Sequence, residues 1–294
     1  MRIALVQLNY IIGDFEHNTS KIIDAILTCK NQNADLVVFA ELSVCGYPPR
    51  DFLEFDDFVE KCYAAIGSIA KSCHGIAAIV GAPSRNPYLK GKNLFNSAWL
   101  LENGKIQSLT HKALLPNYDI FDEYRYFEPN RAVQCIRFKD ATIALTICED
   151  IWNLGPDPLY VANPMETLSL ENPGLMINIA ASPFNYNQVR QRDEILKSNV
   201  RQYSIPIIYV NQVGAQTELL FDGNSVALDK DQTMVANCKS FEEDITLVDF
   251  ENGSLTALKV PEAFPSDKTH LIHDALVMGI RDYFSKMGFK KAIL

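Results

Sequence analysis

No run of this chain is apolar for long enough to cross a bilayer as a helix. The opening MRIALVQLNYIIGD has one basic residue, no small-residue cleavage site and polar residues inside its apolar stretch, so it does not read as a signal peptide. Basic charge is in deficit: 27 Lys and Arg stand against 36 Asp and Glu, a formal charge of −9. With no basic stripe interleaved with aromatics, neither nucleic acid nor an anionic membrane has electrostatic support as a partner. The seven cysteines (Cys29, Cys45, Cys62, Cys73, Cys135, Cys148 and Cys238) are odd in number and irregular in spacing, and no CxxC occurs. A disulfide framework or zinc site is therefore not expected, and a reducing cytoplasm is the expected compartment. The five histidines form no ligand cluster, so no metal is expected; GxxxxGK[ST], internal repeats and low-complexity tracts are also missing. What remains is a 294-residue chain, 48% hydrophobic and 21% charged, long enough for a sizeable α/β core.

Apolar runs alternate with helical patterns. IALVQL (3–8), LVVFAE (36–41), IAAIVGAP (76–83), VQCIRF (133–138), TIALTIC (142–148), GLMINIA (174–180) and PIIYVNQV (206–213) read as strands. Helices are expected over 16–31, 58–72 and 187–204. Residues 96–112 read as a hairpin turning at Asn103-Gly104. SVALD, TMVANC and ITLVDF read as a short antiparallel meander. Strand–helix alternation implies sheets covered by helices, and strands apolar on both faces imply buried sheets. Residues 251–269 are rich in Gly, Pro and Ser and read as a linker. After it, an amphipathic helix with Leu271, Ala275, Leu276 and Ile280 on one face leads to KKAIL, the opening of an apolar strand. That pattern suggests the first elements of a second, truncated domain over 270–294.

Three strands end in reactive side chains: LVVFAE in Glu41, IQSLTHK in Lys112 and TIALTIC in Cys148. Strand ends are where α/β sheets gather their sites. Cys148 sits between an apolar strand and the acidic pair Glu149-Asp150, which is costly to desolvate unless partnered. The abrupt change suggests a tight turn presenting the sulfur. A Cys–His pair needs an available histidine. His111, the best placed, neighbours Lys112 on one strand, so the two point to opposite faces. A Cys–Glu–Lys site is the economical choice, with Glu41 as base and Lys112 as electrophile.

FAELSVCGYPP (39–49), HKALLPNYDIFDEYRYF (111–127) and LTICEDIW (145–152) resemble the three signature segments of the nitrilase, or carbon–nitrogen hydrolase, superfamily, over roughly residues 1–250. The resemblance implies a four-layer αββα sandwich and a Glu–Lys–Cys triad, mapped onto Glu41, Lys112 and Cys148, with Glu123 as a second, supporting glutamate. In detail the segments resemble the glutaminase domain of glutamine-dependent NAD synthetases. That implies a thiolate attack on the glutamine side-chain amide, a γ-glutamyl thioester, and release of ammonia. The ammonia would go to a synthetase domain of the same full-length chain, where nicotinic acid adenine dinucleotide is amidated to NAD. By motif position Tyr47 and Tyr118 would line the glutamine pocket, and Glu149 and Ser182 would hold its α-amino and carboxylate ends. Relatives often carry a Gly-Lys/Arg pair after the SPF segment; here Asn187-Gln188 stands there, with Arg190 and Arg192 nearby. The module itself would need no cofactor; ATP and magnesium would belong to the synthetase domain, and the resemblance implies a homo-oligomer. Two other readings are a stand-alone amidase, nitrilase or carbamoylase of the same superfamily, and a catalytically silent scaffold.

Overall fold

The computed structural model describes residues 1–294 apart from Leu89, Pro156, Asp157, Val260, Glu262, Ala263, Pro265, Ser266 and Leu294. In chain order the elements are β1 (Arg2–Gln7), α1 (Phe15–Asn31), β2 (Leu36–Val38), α2 (Asp56–Ser72), β3 (Ala77–Arg85), β4 (Leu94–Glu102), β5 (Lys105–His111), β6 (Ile136–Phe138), β7 (Ala141–Ile147), α3 (Pro164–Ser169), β8 (Leu175–Ala180), α4 (Gln188–Tyr203), β9 (Ile207–Asn211), β10 (Val213–Gln216), β11 (Leu219–Asp222), β12 (Val226–Leu228), β13 (Met234–Asn237), β14 (Asp244–Glu251), β15 (Ser254–Ala257) and α5 (Lys268–Met287). They form a seven-stranded sheet ordered β15-β14-β1-β2-β3-β4-β5, a six-stranded sheet ordered β13-β12-β9-β8-β7-β6, and a separate β10–β11 hairpin.

Strand alternation divides the core. On β1, Ile3 and Leu5 face one apolar cluster while Ala4 and Val6 face another, and on β2 Leu36 and Val38 oppose Val37 in the same way. The first set meets Ile143, Leu145, Ile147, Ile177 and Ile179 of the second sheet, giving a sheet-on-sheet core. The second set meets Ile22 and Ile26 of α1 and Ile66 and Ile69 of α2. Leu196 and Val200 bring α4 to the second sheet. Each such buried aliphatic side chain contributes roughly 1.5–3 kcal/mol. The layers are the expected αββα sandwich. Among the described residues no helix is long and apolar enough to cross a membrane.

The β4–β5 hairpin turns at Asn103-Gly104, both at positive φ (51° and 75°), as a two-residue hairpin loop demands. Five expectations are corrected. PIIYVNQV is not one strand: β9 ends at Asn211, and Val213 starts β10, which pairs with β11 instead. The meander is split, because β12 and β13 stay with β9 while β14 crosses to the first sheet and runs antiparallel to β1. The linker reading fails over Ser254–Ala257, which pair with β14 as β15; Val260, Glu262, Ala263, Pro265 and Ser266 of that stretch lie outside the described residues. The C-terminal helix starts at Lys268, and its buried face is Leu271, Ala275, Met278 and Asp282, leaving Leu276 and Ile280 exposed. Lys290 to Ile293 carry no strand, and Leu294 lies outside the described residues.

Candidate active site

Glu41 lies three residues past the end of β2, Lys112 one past β5, and Cys148 one past β7. Lys112 is fully buried, and its Nζ donates to Glu41 Oε1 at 2.7 Å and to both oxygens of Glu123 at 2.8 Å. A buried ammonium needs such partners. Burial alone would push Lys112 down, but the charges of Glu123 and Glu41 outweigh it and hold its pKa well above the usual range. The two carboxylates are fixed in turn. Asn96 Nδ2 donates to Glu41 Oε1 at 2.7 Å and reaches Glu123 Oε2 at 3.4 Å. The backbone N–H of Ala181, just past β8, donates to Glu41 Oε2 at 2.9 Å, and the Tyr47 hydroxyl to Glu123 Oε1 at 2.9 Å. Burial raises Glu123, Lys112 opposes this and Glu41 adds to it, and the net result is a carboxyl pushed up to about 7.

Cys148 opens a single 3-10 turn, Cys148–Ile151, at φ +43°, a conformation costly for a residue with a Cβ. The second of the two acids that follow anchors that turn. Asp150 Oδ2 accepts from Ile147 N at 3.0 Å, and its Oδ1 accepts from Ala113 N at 2.9 Å and Leu114 N at 2.8 Å. One buried carboxylate thus ties the cysteine turn to the segment that carries Lys112. Asn178 Nδ2 donates to the Cys148 carbonyl at 3.4 Å. Burial, followed by the charge of Glu41, pushes the Cys148 thiol well above its ordinary value despite Lys112. Desolvation therefore wins over the ammonium, and the resting sulfur is a neutral thiol that needs a base. Lys112 is bonded to Glu41, and Asp150 ties the cysteine turn to the residues that follow Lys112, so the fold brings the three side chains named from the sequence together.

Glu149 is 4% exposed, and its Oε1 accepts from the hydroxyls of Tyr118 at 2.8 Å and Tyr160 at 3.1 Å. Burial raises its pKa, against the two phenols. The Tyr47 hydroxyl braces Glu123, its ring meets Phe221 edge-on, and with Glu123 it lines a cavity of about 310 Å³. Ser182 is buried just past β8, its backbone N–H and C=O both bound by the Asn211 side chain. Arg192 is buried and ion-paired to Asp222 at 2.6 Å, so its guanidinium is occupied; Arg190 is exposed. His111 points away from Lys112, stacked on Phe95 and bonded through Nδ1 to Ser97 Oγ at 2.7 Å, and it lines a cleft of about 790 Å³ between the edge strands β5 and β6. Asn96, Asp150 and Tyr160 were missed by the sequence reading. A lone Asn in the apolar NSAWLL run was a signal for the first; nothing local pointed to Tyr160. Among the described residues no group of three or more His, Cys, Asp or Glu could hold a metal ion.

The carbon-nitrogen hydrolase family model matches residues 2–260. The glutamine-dependent NAD(+) synthetase of Synechocystis sp. is 38% identical over 301 residues, covering 99% of this chain and 54% of that protein. That of Xanthomonas campestris is 34% identical, covering 100% of this chain and 52% of the relative. Among solved structures, the glutamine-dependent NAD+ synthetase of Acinetobacter baumannii in complex with ADP superposes with a TM-score of 0.87 at 30% identity, over 97% of this chain and 52% of that one. An amidase of the nitrilase superfamily from Nesterenkonia AN1 superposes with a TM-score of 0.73 at 22% identity over 86% of this chain and 91% of that one, a likeness of fold alone. The chain spans about half the length of the curated relatives it matches.

Proposed function

The chain belongs to the carbon–nitrogen hydrolase family, and from that premise we propose that it hydrolyses the side-chain amide of glutamine and releases ammonia. The observation that carries the chemistry is the fully buried Lys112 bridging Glu41 and Glu123 beside a cysteine held at positive φ. The choice of glutamine is supported by the whole-chain likeness to glutamine-dependent NAD synthetases.

Glu41 takes the thiol proton as Cys148 attacks the amide carbon, since the thiolate is the nucleophile and the resting thiol is neutral. Lys112 and the backbone N–H of Glu149 stabilise the oxyanion, one such donor being worth about 10²–10³ in rate. Glu41 returns the proton to the departing ammonia, then takes one from the water that hydrolyses the thioester to glutamate. Glu123 shares the charge of Lys112 and keeps its ammonium aimed. Glu149 receives the α-ammonium of the substrate. The ammonia is consumed in an ATP- and magnesium-dependent amidation of nicotinic acid adenine dinucleotide by a synthetase domain.

A panel of glutamine, simple amides, nitriles and N-carbamoyl compounds, assayed for ammonia and glutamate, tests the reading. Glutamine should be the best substrate, and Cys148→Ala should abolish its turnover while leaving the thermal midpoint nearly unchanged. Strong nitrile or carbamoyl turnover with none on glutamine would overturn it.

A further inference from the structure

We propose that Tyr160, presented by Asn153, is a positioning residue that orients Glu149 for the α-ammonium of an amino-acid amide and so separates glutamine from amides that lack one. The inference rests on the glutaminase reading above and adds the device that makes the carboxylate selective.

Glu149 is nearly buried yet forms no ion pair among the described residues. A buried carboxylate without a cation is expensive, so it is either held by neutral donors or waiting for a charged ligand. Both conditions hold, on different oxygens. Oε1 takes the two phenols, Tyr118 from the segment after β5 and Tyr160 from the segment after the cysteine turn. Oε2 receives no hydrogen bond among the described residues and is not sealed from solvent. Two donors on one oxygen fix the carboxylate plane and leave the other oxygen for a cation.

Tyr160 is held in place by a buried amide. Asn153 Nδ2 donates to the carbonyls of Tyr160 and Ala162, each at 2.8 Å, and Asn153 Oδ1 accepts from Tyr160 N at 3.1 Å. Three hydrogen bonds from one side chain close this loop and aim the phenol back at residue 149. Burial, with the charge of Glu149, pushes the hydroxyls of Tyr118 and Tyr160 up from their ordinary values, so both remain donors through neutral and mildly alkaline pH. The ligand chemistry that fits Oε2 is a primary ammonium, which on the glutaminase reading is the α-ammonium of the substrate.

The test uses the Cys148→Ala protein, which cannot turn substrate over, and measures binding by calorimetry. The probes are glutamine and glutaramic acid, which keeps the amide and carboxylate but has hydrogen in place of the α-ammonium. Adding Tyr160→Phe should weaken glutamine about tenfold, as expected for losing a donor to a charged group, and change glutaramic acid less than about twofold. Asn153→Ala, which frees the loop and leaves the phenol in place, should give the same selective loss. Equal weakening of both probes, or of neither, overturns the positioning role while the glutaminase reading stands. A Cys148→Ala protein that binds glutaramic acid but not glutamine overturns the glutaminase reading and this inference with it.

Discussion

Lys112 has two carboxylates to one ammonium around it, and that imbalance governs what single substitutions do. Removing it leaves Glu41 and Glu123 facing each other in a buried site. Lys112→Ala is expected to lower turnover by more than about 10²-fold. It should also cost about 3–5 kcal/mol of stability, because a broken buried pair strands its partners. Denaturant titration and a glutaminase assay on one preparation check both. Glu123, pushed up to about 7, carries a pH signature. As pH falls through that value the carboxyl gains its proton and no longer shares the Lys112 charge. Turnover should therefore decline on the acid side with an apparent pKa near that of the coupled site. Glu123→Gln, neutral at every pH, should be slow and flat over the same window. A profile identical to the parent would remove Glu123 from the working site. At this scale Glu41, Lys112 and Cys148 were legible because each closes a segment that reads as a strand. The distant partners of Asn96 and Asp150, 55 and 36 to 37 positions away in the chain, were not.

At the scale of elements, the site depends on how closely a loop can pass a strand. A Cβ added at Gly81 of β3 would lie 2.3 Å from Leu42 N and 2.5 Å from Ala40 O, the backbone on either side of Glu41. Gly81→Ala must push that segment away from β3. It should reduce kcat by about 10²-fold through misplacement of the base, with KM changed less. Full activity in a folded Gly81→Ala protein would mean that the base tolerates the shift. The strand pattern could not announce this contact, because a glycine within an apolar run reads equally as a strand residue. The same limit explains β14: ITLVDF is plainly a strand, but nothing within it selects β1 over β13 as its neighbour. Pairing is chosen by which apolar face the rest of the chain leaves uncovered.

For the molecule as a whole, α5 is fastened by charged side chains to the segment after β1 and to β10. Asp282 Oδ2 accepts from Asn9 Nδ2 at 2.6 Å and Ala215 N at 2.8 Å. Lys286 Nζ donates to Asn9 Oδ1 at 2.7 Å, Ala215 O at 2.8 Å and Tyr10 O at 3.0 Å. Burial pushes that ammonium down to about 8. Asp282→Ala should speed amide exchange over Lys268–Met287 while β1, β8 and β9 keep their protection, since each hydrogen bond to the charged group is worth about 1.5–3 kcal/mol. Unchanged exchange in the helix would show that its apolar face alone holds it. That face was misread from sequence because the helix is apolar on two sides. Leu276 and Ile280 fit the same spacing as Ala275 and Met278, and only the β10–β11 hairpin and its neighbours decide which stripe is covered.

The amino-acid order by itself determined where strands and helices alternate and which three reactive side chains follow the segments that end as strands at Val38, His111 and Ile147. These follow from periods of two and of three to four residues, which act over one element at a time. The tertiary structure alone decided that Glu41 and Glu123 share one ammonium, that Asp150 ties the cysteine turn to the Lys112 segment, and that Glu149 is held by Tyr160. Those contacts join distant parts of the chain through hydrogen bonds a few ångströms long, and no local pattern encodes a distance that closes only when both sheets have packed.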